Sequence, residues 1–468
     1  MTDAAPGRPG DDATTIEFYG GLGVIGSSKV VIRHGSGAGA SRVQLDMGLD
    51  IPNGEDLMAA PVGLGTRPGR ELADLLRLGA APRVPGLYDP RWLPADVSSA
   101  ELLADAPGSH ALFVSHAHLD HMGLAGFVRP AVPVYATPQT VELLRALAAS
   151  GEGVLGAEPD WRPIEFGAPV TVGEITVEAL PVDHDVPGAA GFLVTTPDGR
   201  VAFTGDLRFH GEQPDLSRDF AAAISGVDVL VTEGTALSWE PRSDSAATEA
   251  DVVTRFQATL AEASGLVLIA LYPRNVQRAR RIADAARGAG RIVVWPGRVA
   301  ALFARLGLPG IVTWDASRPQ AAGHLEAVAA ARADGFPIEP VSLEAVRTAP
   351  GRFVVMPDPH DLPSLLDLPL HPGDVLLHSN GQPLGDFDTW WRPFTAWLAR
   401  LGVELRFAGS SGHATADDLH AMVERVAPPV VFPIHSFSPR RLQVPSGTRR
   451  VIAEYGVRYT LDGTPVTR

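Results

Sequence analysis

The chain has 468 residues, a formal net charge of −15 and no cysteine. Hydrophobic residues make up 45% and charged residues 20%, which is typical of a soluble globular protein with two or three domains. The lack of cysteine excludes disulfides and thiolate metal sites and fits a reducing compartment, so we expect a cytoplasmic protein. No apolar run approaches the roughly 18 residues of a membrane span, and we expect no membrane partner.

The first half of the chain alternates strand-like and turn-like segments. Residues 1–14 are small and polar and predict a flexible tail. Residues 52–110 are rich in Pro and Gly, with helical spacing at 70–78, and predict an insertion on one face. Alternation of apolar residues predicts strands at 16–24, 29–32, 43–46, 111–114, 170–180, 192–196 and 200–204, another strand ending at Tyr135, and a helix at 139–149.

Strand–helix alternation begins after Ser238 and predicts a separate α/β domain. Its predicted helices cover 246–262 and 276–287, its predicted strands cover 266–270 and 292–295, and it runs to about 390–401. Strand–helix alternation then resumes over the segments 405–407, 416–426 and 430–434. We therefore expect a first domain over 15–237 with the insertion at 52–110, a second domain over 238–402, and a return to the first domain over 403–468.

The strongest chemical signal is a short segment that carries three imidazoles and a carboxylate. It follows the apolar run 111–114 and reads His116-x-His118-x-Asp120-His121. His116 and His118 can point the same way from an extended segment, whereas Asp120 and His121 turn toward a neighbouring point as a helix begins. Nitrogen and oxygen ligands at this density suit zinc, with manganese as the alternative.

Further metal-ligating side chains follow the ends of other predicted strands. They are Asp46, His184, Asp206 and His435. This pattern predicts a two-metal site, with one ion on His116, His118 and His184 and the second on Asp120, His121 and His435. Asp206 would bridge the two ions, and Asp46 would orient a ligand histidine from outside the ligand set.

The order of these motifs resembles the metallo-β-lactamase superfamily, and three later motifs resemble its β-CASP nuclease branch. The Gly-rich turn at 20–26 and the segment 274–278 are similar to ribonuclease J and its shorter relatives within that branch. The three later motifs are Thr232-Glu233-Gly234-Thr235, Ser411-Gly412-His413-Ala414-Thr415 and Pro433-Ile434-His435.

The resemblance implies an αββα sandwich with an inserted α/β domain and phosphodiester hydrolysis on two zinc ions. It also implies that His413, paired with Glu233, donates a proton to the leaving oxygen, so Asp120, Glu233 and His413 are the predicted catalytic residues. Ser411 and Thr415 would grip a phosphate at the start of the following helix. The presence of His435 favours RNA, as a single strand, over DNA.

Seven arginines lie between residues 274 and 298, and Arg274 and Arg278 are the predicted phosphate contacts among them. A solvated helix face is the alternative interpretation of this cluster. The chain also departs from ribonuclease J, because Gly409 stands where that family has a His two residues before the Ser of Ser-Gly-His. This departure calls recognition of a 5′-phosphate into question, and the insertion at 52–110 would narrow the substrate channel.

Three functions compete at this point. The first is a zinc-dependent ribonuclease with 5′-to-3′ exonuclease character, endonuclease activity, or both. The second is a small-molecule or ester hydrolase on the same metal site, which the −15 charge favours. The third is a non-catalytic RNA-binding scaffold. The seven candidate metal ligands argue against it, because a scaffold has no evident use for a complete metal site.

Overall fold

The computed structural model describes residues 12–50, 67–93, 102, 108–240, 248–359, 361–381 and 390–466. Most of the predicted tail over 1–14 and part of the predicted insertion over 52–110 lie outside the described residues. Among the residues that are described, no helix is both long enough and apolar enough to cross a bilayer.

Strands and helices alternate along the described chain. The strands are β1 Thr15–Phe18, β2 Val30–His34, β3 Ser41–Leu45, β4 Ser109–Phe113, β5 Val134–Ala136, β6 Trp161–Pro163, β7 Pro169–Val172, β8 Ile175–Pro181, β9 Ala190–Thr196, β10 Gly199–Phe203, β11 Val229–Glu233, β12 Val267–Ala270, β13 Ile292–Trp295, β14 Val312–Trp314, β15 Glu339–Val341, β16 Phe353–Val355, β17 Val375–Asn380, β18 Glu404–Ser410, β19 Val430–Ile434, β20 Arg449–Arg450 and β21 Arg458–Thr460. The helices are α1 Glu71–Leu78, α2 Leu119–Met122, α3 Pro138–Ala149, α4 Pro214–Ala223, α5 Glu249–Glu262, α6 Val276–Gly288, α7 Gly297–Arg305, α8 His324–Ala333, α9 Leu343–Thr348, α10 Trp391–Leu401 and α11 Ala416–Val426.

Two sheets of the described residues pack face to face. Their strand orders are β21-β1-β2-β3-β4-β5-β6 and β20-β19-β11-β10-β9-β8-β7. Aromatic side chains fill the space between them, with the rings of Phe18 and Phe432 4.8 Å apart and those of Phe113 and Phe192 5.8 Å apart. These four side chains are buried, so this interface is a hydrophobic core of the molecule.

Helices cover the outer faces of both sheets. Successive side chains of a strand point to opposite faces, so Phe113 of β4 enters the inner core while Leu112 packs outward in the cluster that includes Leu143 of α3. In the second sheet Val431 of β19 packs outward in the same way, with Leu419 of α11. The predicted αββα sandwich is therefore confirmed.

A third sheet is built from the chain between β11 and β19. Its described strands are all parallel, in the order β15-β14-β13-β16-β12-β17-β18. β11 and β19 pair directly in the second sheet, so the third sheet is an insertion between two neighbouring strands. Its last strand, β18, begins after the domain boundary predicted at residue 402. The domain boundaries as a whole stay predictions.

The predicted local elements differ from the observed ones mainly at their ends. The strand predicted at 16–24 ends at Phe18, and β1 pairs antiparallel with β2, which corresponds to the strand predicted at 29–32. The helix predicted at 70–78 is α1, and its buried Leu72, Leu75 and Leu76 join the outer core. This described part of the insertion is thus anchored to the sandwich by its apolar face.

The parallel pairing of several strands fixes the position of the residues that follow them. β3 pairs parallel with β4 in the first sheet, and β10, β11 and β19 pair parallel in the second. Carboxyl ends of parallel strands lie at the same edge of a sheet. The segments after these strands therefore come together at one edge of the sandwich.

Candidate metal centre

The first ligand cluster contains His116, His118, His184 and Asp206. One ligand atom from each of these buried residues lies within 4.8 Å of the others. His116 and His118 follow β4, and His184 and Asp206 follow β8 and β10. His184 Nε2 lies 3.4 Å from His118 Nδ1, which is close enough for both nitrogens to bind one ion.

The second ligand cluster contains Asp120, His121, Asp206 and His435, all of them buried. Asp206 Oδ2 lies 3.1 Å from His121 Nε2 and 3.6 Å from His435 Nε2, and Asp120 Oδ2 lies 3.1 Å from His435 Nε2. Asp206 belongs to both clusters, so one carboxylate stands between them. The structure thus brings together all seven side chains that the sequence singled out, although their roles as ligands stay predictions.

In four of the five candidate ligand histidines, the ring nitrogen Nδ1 contacts a hydrogen-bonding partner. His121 Nδ1 lies 2.7 Å from Asp46 Oδ2, and His184 Nδ1 donates to the carbonyl oxygen of Gly412 at 2.6 Å. His116 Nδ1 and His435 Nδ1 lie 2.9 and 2.7 Å from the hydroxyls of Ser115 and Thr235. Such partners fix the tautomer and leave Nε2 directed at the cluster.

Backbone geometry also sets two of these residues apart. Asp46 and His435 have φ values of 58° and 57°, in the left-handed region that non-glycine residues rarely adopt. Strain of this kind persists only where the surrounding structure enforces it, and it concentrates at functional sites. Here it turns each side chain toward the edge of the sandwich directly after its strand ends.

The two clusters differ in the direction in which the pKa values of their imidazoles are shifted. In the first cluster burial lowers the pKa of His116, His118 and His184, to about 3 for His118, so these imidazoles are neutral and able to bind metal. In the second cluster burial also disfavours a charged imidazole, but Asp206, Asp120 and Asp46 raise the pKa of His121 well above its ordinary value. The surrounding carboxylates therefore favour a positive charge at this position.

Unpartnered buried atoms show that the residues fit a pair of cations. Oδ1 of Asp206 and Nε2 of His116 are buried without a hydrogen-bond partner among the described residues. Leaving a buried charged group unpaired is costly, so such groups in native proteins are paired or bind metals. An oxygen and nitrogen donor set of this kind suits zinc, manganese or iron, and the donors alone do not select among them.

Glu233 and His413 lie beside the shared carboxylate. His413 Nδ1 is 3.7 Å from Asp206 Oδ2 and 3.7 Å from Glu233 Oε1. Burial lowers the pKa of His413, but Asp206 and Glu233 more than offset this and raise it to about 9. Glu233 Oε2 also accepts a hydrogen bond from the Thr235 backbone N–H at 2.7 Å, which holds the carboxylate in place.

The predicted phosphate-gripping hydroxyls are already engaged within the chain. Ser411 Oγ accepts from the His413 backbone N–H at 3.1 Å. Thr415 caps α11, because its hydroxyl accepts from the Asp418 N–H at 3.1 Å and donates to the Asp418 carboxylate at 2.7 Å. This capping box gives Thr415 a structural role, and phosphate binding by either residue stays a prediction.

The arginines predicted to contact phosphate are buried in the wall behind the site. Arg274 donates to the carbonyl oxygen of Ala117, between two ligand histidines. Arg278 is 2% exposed and pairs with Glu249, and it donates to the carbonyl oxygen of Ser410 at 2.9 Å. Both guanidiniums therefore support the backbone that carries the site, a role that the arginine-rich pattern alone did not predict.

Two glycines near the site are required by close packing. A Cβ at Gly409 would lie 1.8 Å from the backbone oxygen of Asn380, so a side chain does not fit there. A Cβ at Gly412 would lie 2.8 Å from Cγ of Asp185. The position at which ribonuclease J has a His is thus closed in this chain.

Asp185 is the residue that sequence reasoning missed. Its Oδ1 is buried without a hydrogen-bond partner in the described chain and lies 3.3 Å from His118 Nε2 and 3.4 Å from His184 Nε2. Burial disfavours its charged form, but His184, His118 and Arg208 lower its pKa below the ordinary value. Its signal in the sequence is a carboxylate directly after the candidate ligand His184, in Asp183-His184-Asp185.

Comparison with known proteins places this site in a family context. Residues 84–269 match the family described as the beta-lactamase superfamily domain. A ribonuclease J from Pyrococcus abyssi is 29% identical over 203 residues, which cover 41% of this chain and 45% of that protein. A ribonuclease J from Sinorhizobium meliloti is 34% identical over 194 residues, covering 40% and 34% of the two chains. The chain thus spans less than half the length of these relatives.

A solved structure extends the likeness to almost the whole chain. The crystal structure of a protein of unknown function from Enterococcus faecalis V583 superimposes with a TM-score of 0.76 at 25% sequence identity. The match covers 96% of this chain and 100% of that one. Residues 84–269 therefore resemble a beta-lactamase superfamily domain, and the predicted resemblance to the metallo-β-lactamase superfamily and ribonuclease J is confirmed.

Proposed function

We propose that the chain is a metal-dependent phosphodiester hydrolase that cleaves single-stranded RNA. The observation that carries the proposal is the pair of buried ligand clusters that share Asp206. The relatives named ribonuclease J support RNA as the substrate. Two zinc ions are the proposed cofactor, with manganese as the alternative, because the donors are imidazole nitrogens and carboxylate oxygens.

Seven side chains would hold the two ions in this proposal. His116, His118 and His184 take one position, Asp120, His121 and His435 take the other, and Asp206 takes part in both. A bound pair of dications supplies charge stabilisation for the phosphoryl oxygens and for an attacking water. Asp46 keeps the His121 ring oriented from behind through its 2.7 Å contact.

His413 is the proposed proton donor. With a pKa raised to about 9, it is protonated at neutral pH and can release its proton to the leaving oxygen as the phosphodiester bond breaks. Glu233 holds the imidazolium from one side, and Asp206 holds it from the other. The proposed proton donor therefore lies beside Asp206, the carboxylate that belongs to both clusters.

The proposed cleavage does not depend on a 5′-phosphate. The family's His is replaced by Gly409, whose contact with Asn380 leaves no room for a side chain. The Asp185 carboxylate also packs against Gly412, beside the Ser411 hydroxyl that would grip a phosphate. Both features disfavour a terminal phosphate, so we propose endonucleolytic cleavage, or exonucleolytic cleavage from a 5′-hydroxyl end.

The same two features favour one alternative function. A small-molecule or ester hydrolase would use the same ligand clusters and would gain from a carboxylate near Gly412, because that charge repels polyanions. Turnover of a lactone or thioester without RNA cleavage would support this alternative.

The test is incubation of purified protein with end-labelled single-stranded RNA and DNA, with and without a chelator. We expect metal-dependent shortening of RNA, equal for 5′-phosphate and 5′-hydroxyl ends, and no turnover by Asp120→Ala. Asp160→Ala, at a carboxylate that is 88% exposed, is the matched control and should cleave as the wild type does. Retained cleavage by a folded Asp120→Ala variant, or no cleavage by metal-loaded wild type, would overturn the proposal.

A further inference from the structure

A chamber of about 490 Å³ opens at the carboxyl ends of the strands of the third sheet. Its walls come from the segments that follow β12, β13, β16 and β17. In open parallel α/β sheets ligands bind outside the carboxyl ends of the strands. The size also falls within the roughly 300–1,000 Å³ of small-molecule sites. Position and volume together mark the chamber as a binding site separate from the ligand clusters.

Aromatic rings line one side of the chamber. They belong to Tyr272, Trp390, Trp391 and Phe394. The Trp391 ring is held edge-on against the His378 ring, with centroids 4.7 Å apart, so its orientation is set by packing. Flat aromatic faces of this kind stack nucleobases of any sequence.

Polar groups without partners lie on the other side of the chamber. Among the described residues no carboxylate pairs with the Arg298 guanidinium, and its Nε is buried without an acceptor. Asn380 Oδ1 is buried without a donor. By contrast His324 and Asp358 in the same wall pair at 3.1 Å, and His324 Nδ1 accepts from the Arg298 backbone N–H. The chamber therefore offers one cation and one amide oxygen beside the aromatic rings, and its wall also includes Glu152, which is not paired with Arg298 among the described residues.

The chamber adjoins the metal centre. The Tyr272 ring lines the chamber and also packs on the His118 ring, with centroids 5.2 Å apart. Tyr272 is therefore shared by the chamber and the metal centre, so the chamber lies next to a substrate whose reacting group is at the ligand clusters.

We propose that the chamber receives one unstacked nucleoside of the RNA next to the cleaved bond, with its base on Trp391 and its phosphate on Arg298. Asn380 Oδ1 accepts from an amino group of the base. A purely apolar ligand would leave Arg298 without an anion, whereas a nucleotide satisfies both the rings and the cation. This inference rests on the proposed function and names the part of the substrate that sits outside the metal centre.

The experiment compares a substrate that has bases with one that has none. Wild type, Arg298→Gln and Trp391→Leu are assayed on single-stranded RNA and on bis(p-nitrophenyl) phosphate. We expect KM for RNA to rise about tenfold in each variant, with hydrolysis of the small diester within about twofold of wild type. Trp391→Phe should recover most of the lost RNA affinity because it keeps a ring. Arg280→Gln, at an exposed position of α6, is the matched control and should leave both substrates unchanged.

A binding measurement keeps the inference testable if a variant fails to fold. Adenosine monophosphate is titrated into chelator-treated wild-type protein, and we expect saturable quenching of tryptophan fluorescence that Arg298→Gln weakens. No quenching in wild type, an unchanged KM for RNA in both folded variants, or a parallel loss on the small diester would overturn the inference. Failure of metal-loaded wild type to cleave RNA would instead overturn the proposed function, and nucleotide binding would still decide the role of the chamber.

Discussion

At the scale of single residues, the metal centre depends on the second nitrogen of each imidazole. Asp46, Ser115, Thr235 and the Gly412 carbonyl hold four of the five rings from behind. The fifth ring, His118, has Asp185 at 3.3 Å from Nε2, while its Nδ1 lies toward His184. Asp185 thus contacts the second ring nitrogen of His118, as the other partners contact the second nitrogen of their own rings.

Asp185→Asn should weaken metal binding, because an amide orients the His118 ring less strongly than a carboxylate does. Loss of such a partner lowers metal affinity about 10–100-fold. The measurement is competition with a coloured chelator, followed by metal analysis of the protein. Asp160→Asn is the control, since that carboxylate is 88% exposed and its ion-pair partner is Arg162, outside the ligand clusters. Equal metal affinities in the two variants would remove Asp185 from this role.

His413→Ala should slow RNA cleavage by about 10²–10⁴-fold if the imidazolium is the proton donor. Because the role is proton donation, a substrate with a good leaving group, such as bis(p-nitrophenyl) phosphate, should lose much less activity. The ratio of the two rate losses is therefore the measurement. Equal losses on both substrates would assign His413 to structure or metal binding instead.

At the scale of elements, a buried charge triad joins two helices to the site. Glu249 at the start of α5 accepts from Arg208 at 2.7 Å and from Arg278 of α6 at 2.9 Å. Arg208 also donates to the carbonyl oxygens of Ser411 and His184, at 3.2 and 3.1 Å. The triad therefore holds the backbone that precedes His413 and the backbone at His184.

Glu249→Gln should destabilise the fold by about 3–5 kcal/mol, because it leaves Arg278 buried without a carboxylate partner and leaves Arg208 with only Asp183, at 3.5 Å. The free energy of unfolding in urea is the measurement. Glu262→Gln, at the other end of the same helix, removes an exposed partner of Arg406 and should cost less than about 1 kcal/mol. Similar losses for both variants would contradict a special role for the buried triad.

At the scale of the whole molecule, acid sensitivity is a property of the sandwich as well as of the site. His110 lies in β4 opposite Arg42, far along the strand from the ligand histidines. Burial lowers the pKa of His110 to about 3, and the guanidiniums of Arg42, Arg33 and Arg129 add to this. The folded state therefore keeps this imidazole neutral where the unfolded chain would protonate it.

Stability from the neutral His110 is complete above pH 6.5 and is lost as the pH falls toward 3, because the unfolded chain then binds the extra proton. His110→Gln should flatten the decline of unfolding free energy between pH 6.5 and pH 4, by at most about 1.4 kcal/mol per pH unit. Urea midpoints across that range give the slope. His371→Gln, at a side chain that is 75% exposed, should keep the wild-type slope. An unchanged slope in His110→Gln would contradict the prediction.

The sequence alone predicted the α/β domain and the candidate ligands from local patterns, and it predicted the sandwich from the resemblance of its motifs to a known superfamily. Ligands that follow strand ends leave a signature of an apolar run before a His or Asp, as at Asp206 and His435. The ends of elements were less certain, because Gly20 and Gly21 stop β1 at Phe18 although the apolar pattern continues.

Only the tertiary structure decided which of these residues meet and which are buried. The arginine-rich segment looked like a phosphate-binding face, but long-range packing buries Arg278 on Glu249 and leaves Arg298 facing the chamber. Asp185 and the chamber arise from segments that are far apart in the chain, including residues 118, 272 and 391. Contacts of that range depend on how the sheets stack and pair, and no local pattern in the sequence encodes them.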